Sequence, residues 1–132
     1  MSRCCANWGT YAGWSGERDV ATGDEARALC GEIESNDDSG RVLVGFTNER
    51  GHFFAIGLGA DESCVMFWES AEPPYFQSRG TGSADERIDF AYDGQETELP
   101  SSVLIGRELA VAALMEFADS GRRPDCVAWD ET

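Results

Sequence analysis

One histidine, five cysteines and a crowd of carboxylates are the side chains through which this chain could do chemistry. His52 follows Gly51 in what reads as a hairpin turn. A general base needs an oriented partner and a pocket, so the position marks a solvated surface residue. Without His52, no Ser-His-Asp or Cys-His set can be assembled. Cys4, Cys5, Cys30, Cys64 and Cys126 contain no CxxC pair, and adjacent Cys4 and Cys5 on a strand point to opposite faces, where they cannot chelate one ion together. Four of the five have apolar neighbours, in which a free cysteine behaves as a small buried hydrophobe, so reduced thiols in a reducing compartment are expected. Gly57-Leu58-Gly59 ends a strand without the third glycine and the helix of a dinucleotide fingerprint. Asp85, Glu86, Asp89 and Asp93 do not match the spacing of a calcium loop, and Asp89 alternates with Ile88 and Phe90 as a solvated strand face would. Neither a catalytic set, a metal site nor a cofactor is expected.

Charge points instead to a surface. All ten cationic residues are arginine, against 25 acids, for a formal net charge of −15. Such a surface repels nucleic acid and anionic membrane and favours a basic partner. Between Glu69 and Glu98 eight acids face only Arg79 and Arg87, interleaved with Trp68, Tyr75, Phe76, Phe90 and Tyr92. Aromatic rings beside carboxylates can anchor a protein interface, the ring desolvated and the charge steering the partner. Pro73-Pro74 places Tyr75 and Phe76 in a loop, where large rings have little packing to explain them. The candidate contact residues are therefore Glu69, Glu72, Tyr75, Phe76, Asp85 and Glu86.

The elements that must present them follow from periodicity and turn chemistry. A length of 132 residues fits a single domain, residues 1–132, able to bury a core without metal or disulfide support. No stretch has the roughly 18–20 apolar residues of a membrane span, and the N-terminus lacks the apolar core of a signal peptide, so a cytoplasmic protein is expected. Arg3–Tyr11 reads as a strand and Gly13–Arg18 as a polar turn. Thr22-Gly23-Asp24-Glu25 fits a capping box ahead of Ala26, Leu29, Cys30 and Ile33 at helical spacing, and Asn36–Gly40 ends that helix. Val42–Thr47, Phe53–Leu58 and Cys64–Glu69 form a meander; Arg87–Tyr92 and Gln95–Leu99 flank Asp93-Gly94 as a hairpin. A second helix runs from Gly106 or Arg107 to Ser120, with Leu109, Ala113, Leu114, Phe117 and Ala118 as its apolar face, Gly121 as its stop and Pro124 beyond. Asp125–Asp130 returns as a short strand. The expected class is α+β, a curved antiparallel sheet of meander plus hairpin with two helices packed on one face.

The C-terminal third carries a resemblance. Phe90–Pro100, the helix ending Leu114-Met115-Glu116-Phe117-Ala118-Asp119-Ser120-Gly121-Arg122-Arg123-Pro124, and Val127-Ala128-Trp129-Asp130-Glu131 together resemble the first family of polymorphic-toxin immunity proteins. The likeness covers about 45 residues and is specific as a combination rather than in any single piece. It implies an intracellular protein paired with a secreted toxin, commonly a nucleic-acid deaminase, and acting by occlusion. It implies no catalytic residues, and makes Phe117, Pro124 and Trp129 positions that build the fold. The partner so implied is a cognate toxin domain with a basic nucleic-acid-binding cleft, and neither nucleic acid nor membrane. An alternative is a small-ligand or sensor domain whose apolar pocket would be lined by Trp8, Phe46, Phe54 or Trp68. An enzyme working through carboxylates lacks a base and its orienting group.

Overall fold

Six of the seven residues of Val42–Asn48 (β3) and all six of Phe53–Leu58 (β4) are buried. Successive side chains of a strand point to opposite faces, so this central pair must be covered on both sides. The computed structural model, which describes residues 3–36 and 40–132, shows how. Helices cover one face, and a β-hairpin folds over the other.

Cys4–Gly9 (β1) lies against β3, and Ser15–Val20 (β2) lies outside β1 as an edge. On the other side of β3 come β4, Val65–Trp68 (β5), Tyr75–Ser78 (β6) and finally Trp129–Glu131 (β9). These pairings are all antiparallel. Arg87–Tyr92 (β7) and Gln95–Pro100 (β8) form the hairpin, attached to the main sheet by a single parallel bridge, Val42 to Ala91. A short 3₁₀ turn, Ser101–Val103, leads from β8 towards the second helix.

The helices are Gly23–Glu34 (α1) and Arg107–Ser120 (α2). At the start of α1 the Thr22 hydroxyl accepts from the Glu25 amide at 3.1 Å, while the Glu25 carboxylate reaches back to the Ala21 amide at 2.7 Å, a capping box displaced by one residue. Gly121 ends α2 with φ 76°, the left-handed stop. The helices meet where Gly23 has no side chain: a Cβ there would lie 2.8 Å from the Met115 carbonyl oxygen. The Gly23 amide donates instead to Asp119 at 2.8 Å. Under the helices Val44, Phe46, Phe54, Ile56 and Phe67 pack with Leu29, Ile33, Leu114 and Phe117 as the main core. Leu43, Cys64, Phe90 and Val103 form a second, smaller core beneath the hairpin.

The architecture is the α+β arrangement expected, with four local corrections. Residues from Ser15 on, read as part of a polar turn, form β2; as an edge strand it leaves Glu17, Arg18 and Asp19 exposed and so shows no alternation to read. Tyr75 and Phe76, expected in a loop, open β6, because proline bars pairing only at its own positions. Leu109 lies outside the apolar face of α2, 40% exposed, and Ala110 and Val111 are inside. The last strand begins only at Trp129. Asp37, Asp38 and Ser39, in the turn expected after α1, and Met1 and Ser2 at the start of the chain fall outside the described residues.

Candidate functional site

On the face away from the helices, the strand register lines up Phe53, Trp68 and Tyr75 as neighbours on β4, β5 and β6. Phe53 stacks on Trp68 at 4.3 Å between ring centroids, and Trp68 meets Tyr75 edge-on at 5.5 Å. Gly45 of β3 permits this, for a Cβ there would come 2.8 Å from the Phe53 ring. With Ala55 and Met66, these rings make an apolar shelf.

The β7–β8 hairpin forms a wall over the shelf. Its tip is a two-residue turn with Asp93 at φ 53° and Gly94 at φ 80°, the left-handed pair such a turn requires. Side-chain ties hold its flank. Arg41 donates through Nε to the Asp89 carbonyl at 2.7 Å and through Nη2 to its carboxylate at 2.9 Å, and the Tyr11 hydroxyl donates to the other carboxylate oxygen at 2.7 Å. The Tyr11 hydrogen bond, with the Arg41 charge, holds the Asp89 carboxyl below its ordinary range. At the tip the Gly94 amide donates to the Gly9 carbonyl, and β1 approaches so closely that a Cβ on Gly9 would lie 2.9 Å from Asp93 Cα.

Three hollows run along this face. A central cleft of about 180 Å³ has Phe53, Ala55, Met66 and Trp68 on its floor and Tyr92 and Thr97 on its wall. Met66 and Trp68 also line a hollow of about 520 Å³ with Tyr75 and Gln77. Tyr92 also lines a third, of about 520 Å³, with Asn7, Glu17 and Asp93. The central cleft shares Met66 and Trp68 with the second hollow and Tyr92 with the third, so the three adjoin along the sheet, and together they are called the groove. The ionisable acids on its lining are Glu17 and Asp93, and no arginine or histidine lines it. Arg18, Arg41, Arg79, Arg87 and Arg107 are each paired with a carboxylate.

The six residues picked out in the sequence lie on or beside β5, β6 and β7. Tyr75 is on the groove floor. Phe76 also borders that end, but it packs against the main core with the Arg123 guanidinium 4.3 Å over its ring. Glu72 is exposed in the turn before β6, and Asp85 and Glu86 are exposed just ahead of β7, the groove wall. Glu69 has its carboxylate 4.0 Å from His52 Nε2. Of the residues that build the groove, Trp68 and Tyr92 were noted in the sequence among the interleaved aromatics but not among the six contact residues, and Phe53 and Thr97 were not singled out, because alternation alone cannot tell a covered face from an open one.

The remaining chemistry-bearing groups are structural. His52 is not simply solvated: its Nδ1 donates to the Gly121 carbonyl at 2.9 Å and its ring meets Phe67 edge-on. All five cysteines are free. Cys4, Cys30 and Cys64 are buried, Cys5 is half-buried and Cys126 is exposed, three buried thiols rather than four. Burial pushes Cys64 and Cys30 up to about 12 and Cys4 to about 11, away from nucleophilic use. Among the described residues no cluster of three or more His, Cys, Asp or Glu is placed to hold a metal ion, and no helix is long and apolar enough to cross a membrane. The ligand pocket imagined around Trp8, Phe46, Phe54 and Trp68 does not form. Phe46 and Phe54 are fully buried under the helices, while Trp68 faces the opposite side of the sheet.

The tail that carries the family resemblance packs into the main core. Phe117 is fully buried against Phe54 and Phe67; Trp129 is half-buried beside the same two rings and donates its indole N–H to the Pro124 carbonyl at 2.8 Å. A family model described as Immunity protein Imm1 matches residues 15–131. No curated protein matches the chain. With nearly its whole length matched, the chain belongs to the Imm1 family of immunity proteins, and its work is to bind a cognate toxin rather than to catalyse a reaction.

Proposed function

We propose that the toxin neutralised by this protein acts on nucleic acid, as a deaminase, and that neutralisation is occlusion of its basic nucleic-acid cleft. The observation that carries this reading is the charge: −15 over 132 residues, with no cation along the groove. A cleft that holds phosphates must be basic, and an acidic plug is attracted to it by the same field. The partner is thus a protein, neither nucleic acid nor membrane, and the site of action is the cytoplasm of the producing cell. The proposed contact residues are Glu69, Glu72, Tyr75, Phe76, Asp85 and Glu86, rings that fill space beside carboxylates that take the place of phosphates.

The test is titration of the purified chain into its cognate toxin domain, with deamination of single-stranded DNA and of RNA as readouts. Inhibition is expected to be complete near 1:1, with affinity of about nanomolar or tighter and association slowed as salt rises. Reversing Glu69, Glu72, Asp85 and Glu86 to Arg is expected to abolish protection. Reversing the exposed helical acids Asp24 and Glu108 is the control, since neither takes part in the cap or the ion pairs of Glu25, Glu32 and Glu34. A neutralised toxin with no activity on nucleic acid would refute the reading, as would association indifferent to salt for its electrostatic part.

A further inference from the structure

The groove beneath the hairpin is long, apolar along its floor and acidic at one end. From β1 to β6 it crosses four strand spacings of about 4.8 Å, roughly 19 Å, which is the reach of about six extended residues. Its floor is the Phe53–Trp68–Tyr75 shelf, and Tyr92, 37% exposed, leans over it from the hairpin. Large aromatic side chains left partly open on one face are what hot spots are made of. Their π faces attract cations, and Glu17 and Asp93 add charge of the matching sign at the end. The protein already makes this kind of contact internally, Arg123 over Phe76.

Resting on the toxin-binding reading above, we infer that this groove receives an extended basic segment of the toxin, its arginine or lysine side chains laid on Trp68, Tyr75 and Tyr92 and drawn in by Glu17 and Asp93. Charge complementarity selects this occupant. The groove offers carboxylates and ring faces but no cation of its own, and the rest of the chain is strongly acidic, so a second copy brings the wrong charge. An apolar segment alone would bring no charge to meet those of Glu17 and Asp93. The groove wall is also held for the purpose: the ties of Asp89 to Arg41 and Tyr11 fix the hairpin flank before any partner arrives, so little ordering is needed on binding.

The experiment uses the full chain and its cognate toxin domain. A groove variant carrying Glu17→Arg, Gln77→Arg, Tyr92→Ser and Thr97→Arg changes lining residues that are none of them in the main core. It is expected to weaken binding by at least about thirtyfold, the loss of one hot spot, while the Asp24→Arg, Glu108→Arg control binds as the parent does. Hydrogen exchange on the unaltered complex gives a second reading that no folding defect can confuse. Slowed exchange is expected in β5, β6 and the 92–97 turn, and on the toxin in one segment rich in arginine or lysine. Parent-like affinity in the groove variant, protection confined to α1 and α2, or a protected toxin segment without cations would each overturn the inference. So would self-association of the free chain through the groove. If the unaltered chain does not bind the toxin at all, the functional reading fails, and that outcome is distinct from tight binding through another face.

Discussion

Asn48 ties a hairpin turn to the end of a helix through one side chain, and its removal has a cost that can be worked from the structure. It is the last residue of β3 and only 6% exposed. Its Oδ1 accepts from the amides of Arg50 at 3.0 Å and His52 at 2.9 Å, and its Nδ2 donates to the Gly121 carbonyl at 3.2 Å. A net hydrogen bond is worth about 0.5–1.5 kcal/mol, so Asn48→Ala forfeits roughly 1.5–4.5 kcal/mol. The exposed Arg50 amide and the partly exposed His52 amide can turn to water, and Gly121 keeps its bond from His52. The expected loss is therefore near the lower end, about 2 kcal/mol, or about 6–10 °C in Tm for a chain of this length. Urea unfolding followed by tryptophan fluorescence, with midpoints compared at a common slope, measures it. Asn48→Asp separates the two halves of the tie: it keeps the turn acceptor but sets a carboxylate against a carbonyl at the negative end of α2. Asp is expected to be at least as damaging as Ala. A loss under about 0.5 kcal/mol for Ala, or an Asp variant clearly more stable than Ala, would refute the claim that Asn48 joins turn and helix.

Four other outcomes are expected. Phe117→Ala removes a fully buried ring packed on Phe54 and Phe67 and should cost about 3–5 kcal/mol in the same assay; an unchanged Tm would show that the last helix does not pack as described. Gly80→Ala drives a Cβ into the Leu104 carbonyl oxygen, so the strap that follows β6 must move; a variant within about 0.5 kcal/mol of the parent would contradict that close crossing. A thiol reagent at pH 8 should modify Cys126 first and Cys5 slowly, leaving Cys4, Cys30 and Cys64 unreacted until denaturant is added. The buried thiols also set a pH dependence. Their folded pKa values of about 11 to 12 exceed the ordinary 9.0, so the folded state keeps protons that the unfolded state loses, and stability should fall as pH rises from about 9 towards 12. Equal urea midpoints at pH 8 and pH 10 would oppose this.

Where the sequence was legible, a local rule and the tertiary structure asked for the same residue. Thr22 and Glu25 cap α1, Gly121 stops α2, and Asp93-Gly94 turns the hairpin, because each of these needs only a few residues in one place. The meander was legible because β3 to β5 are apolar and separated by turns containing glycine. β2 was not, since an exposed edge strand is chosen for charge and not for burial. The site was the least legible part. Tyr75 was identified for a reason that proved mistaken, its supposed loop, while Phe53, Trp68 and Tyr92 look like ordinary core-forming strand residues in one dimension. That they share an open face depends on which strands are neighbours and on where the hairpin folds back. Neither is written in the local pattern.

The hairpin stands on a core of its own. Leu43, Cys64, Phe90 and Val103 support it, while the helices rest on a separate set of side chains across the sheet. Changes at well-separated sites add rather than couple, so substitutions along the outer rim of β7 and β8 leave the helical layer nearly untouched. The covering of the sheet thus has two parts that can be altered one at a time. The larger core keeps the helical half folded whatever is changed on the outer rim of the hairpin, whose own footing is only the four buried residues beneath it.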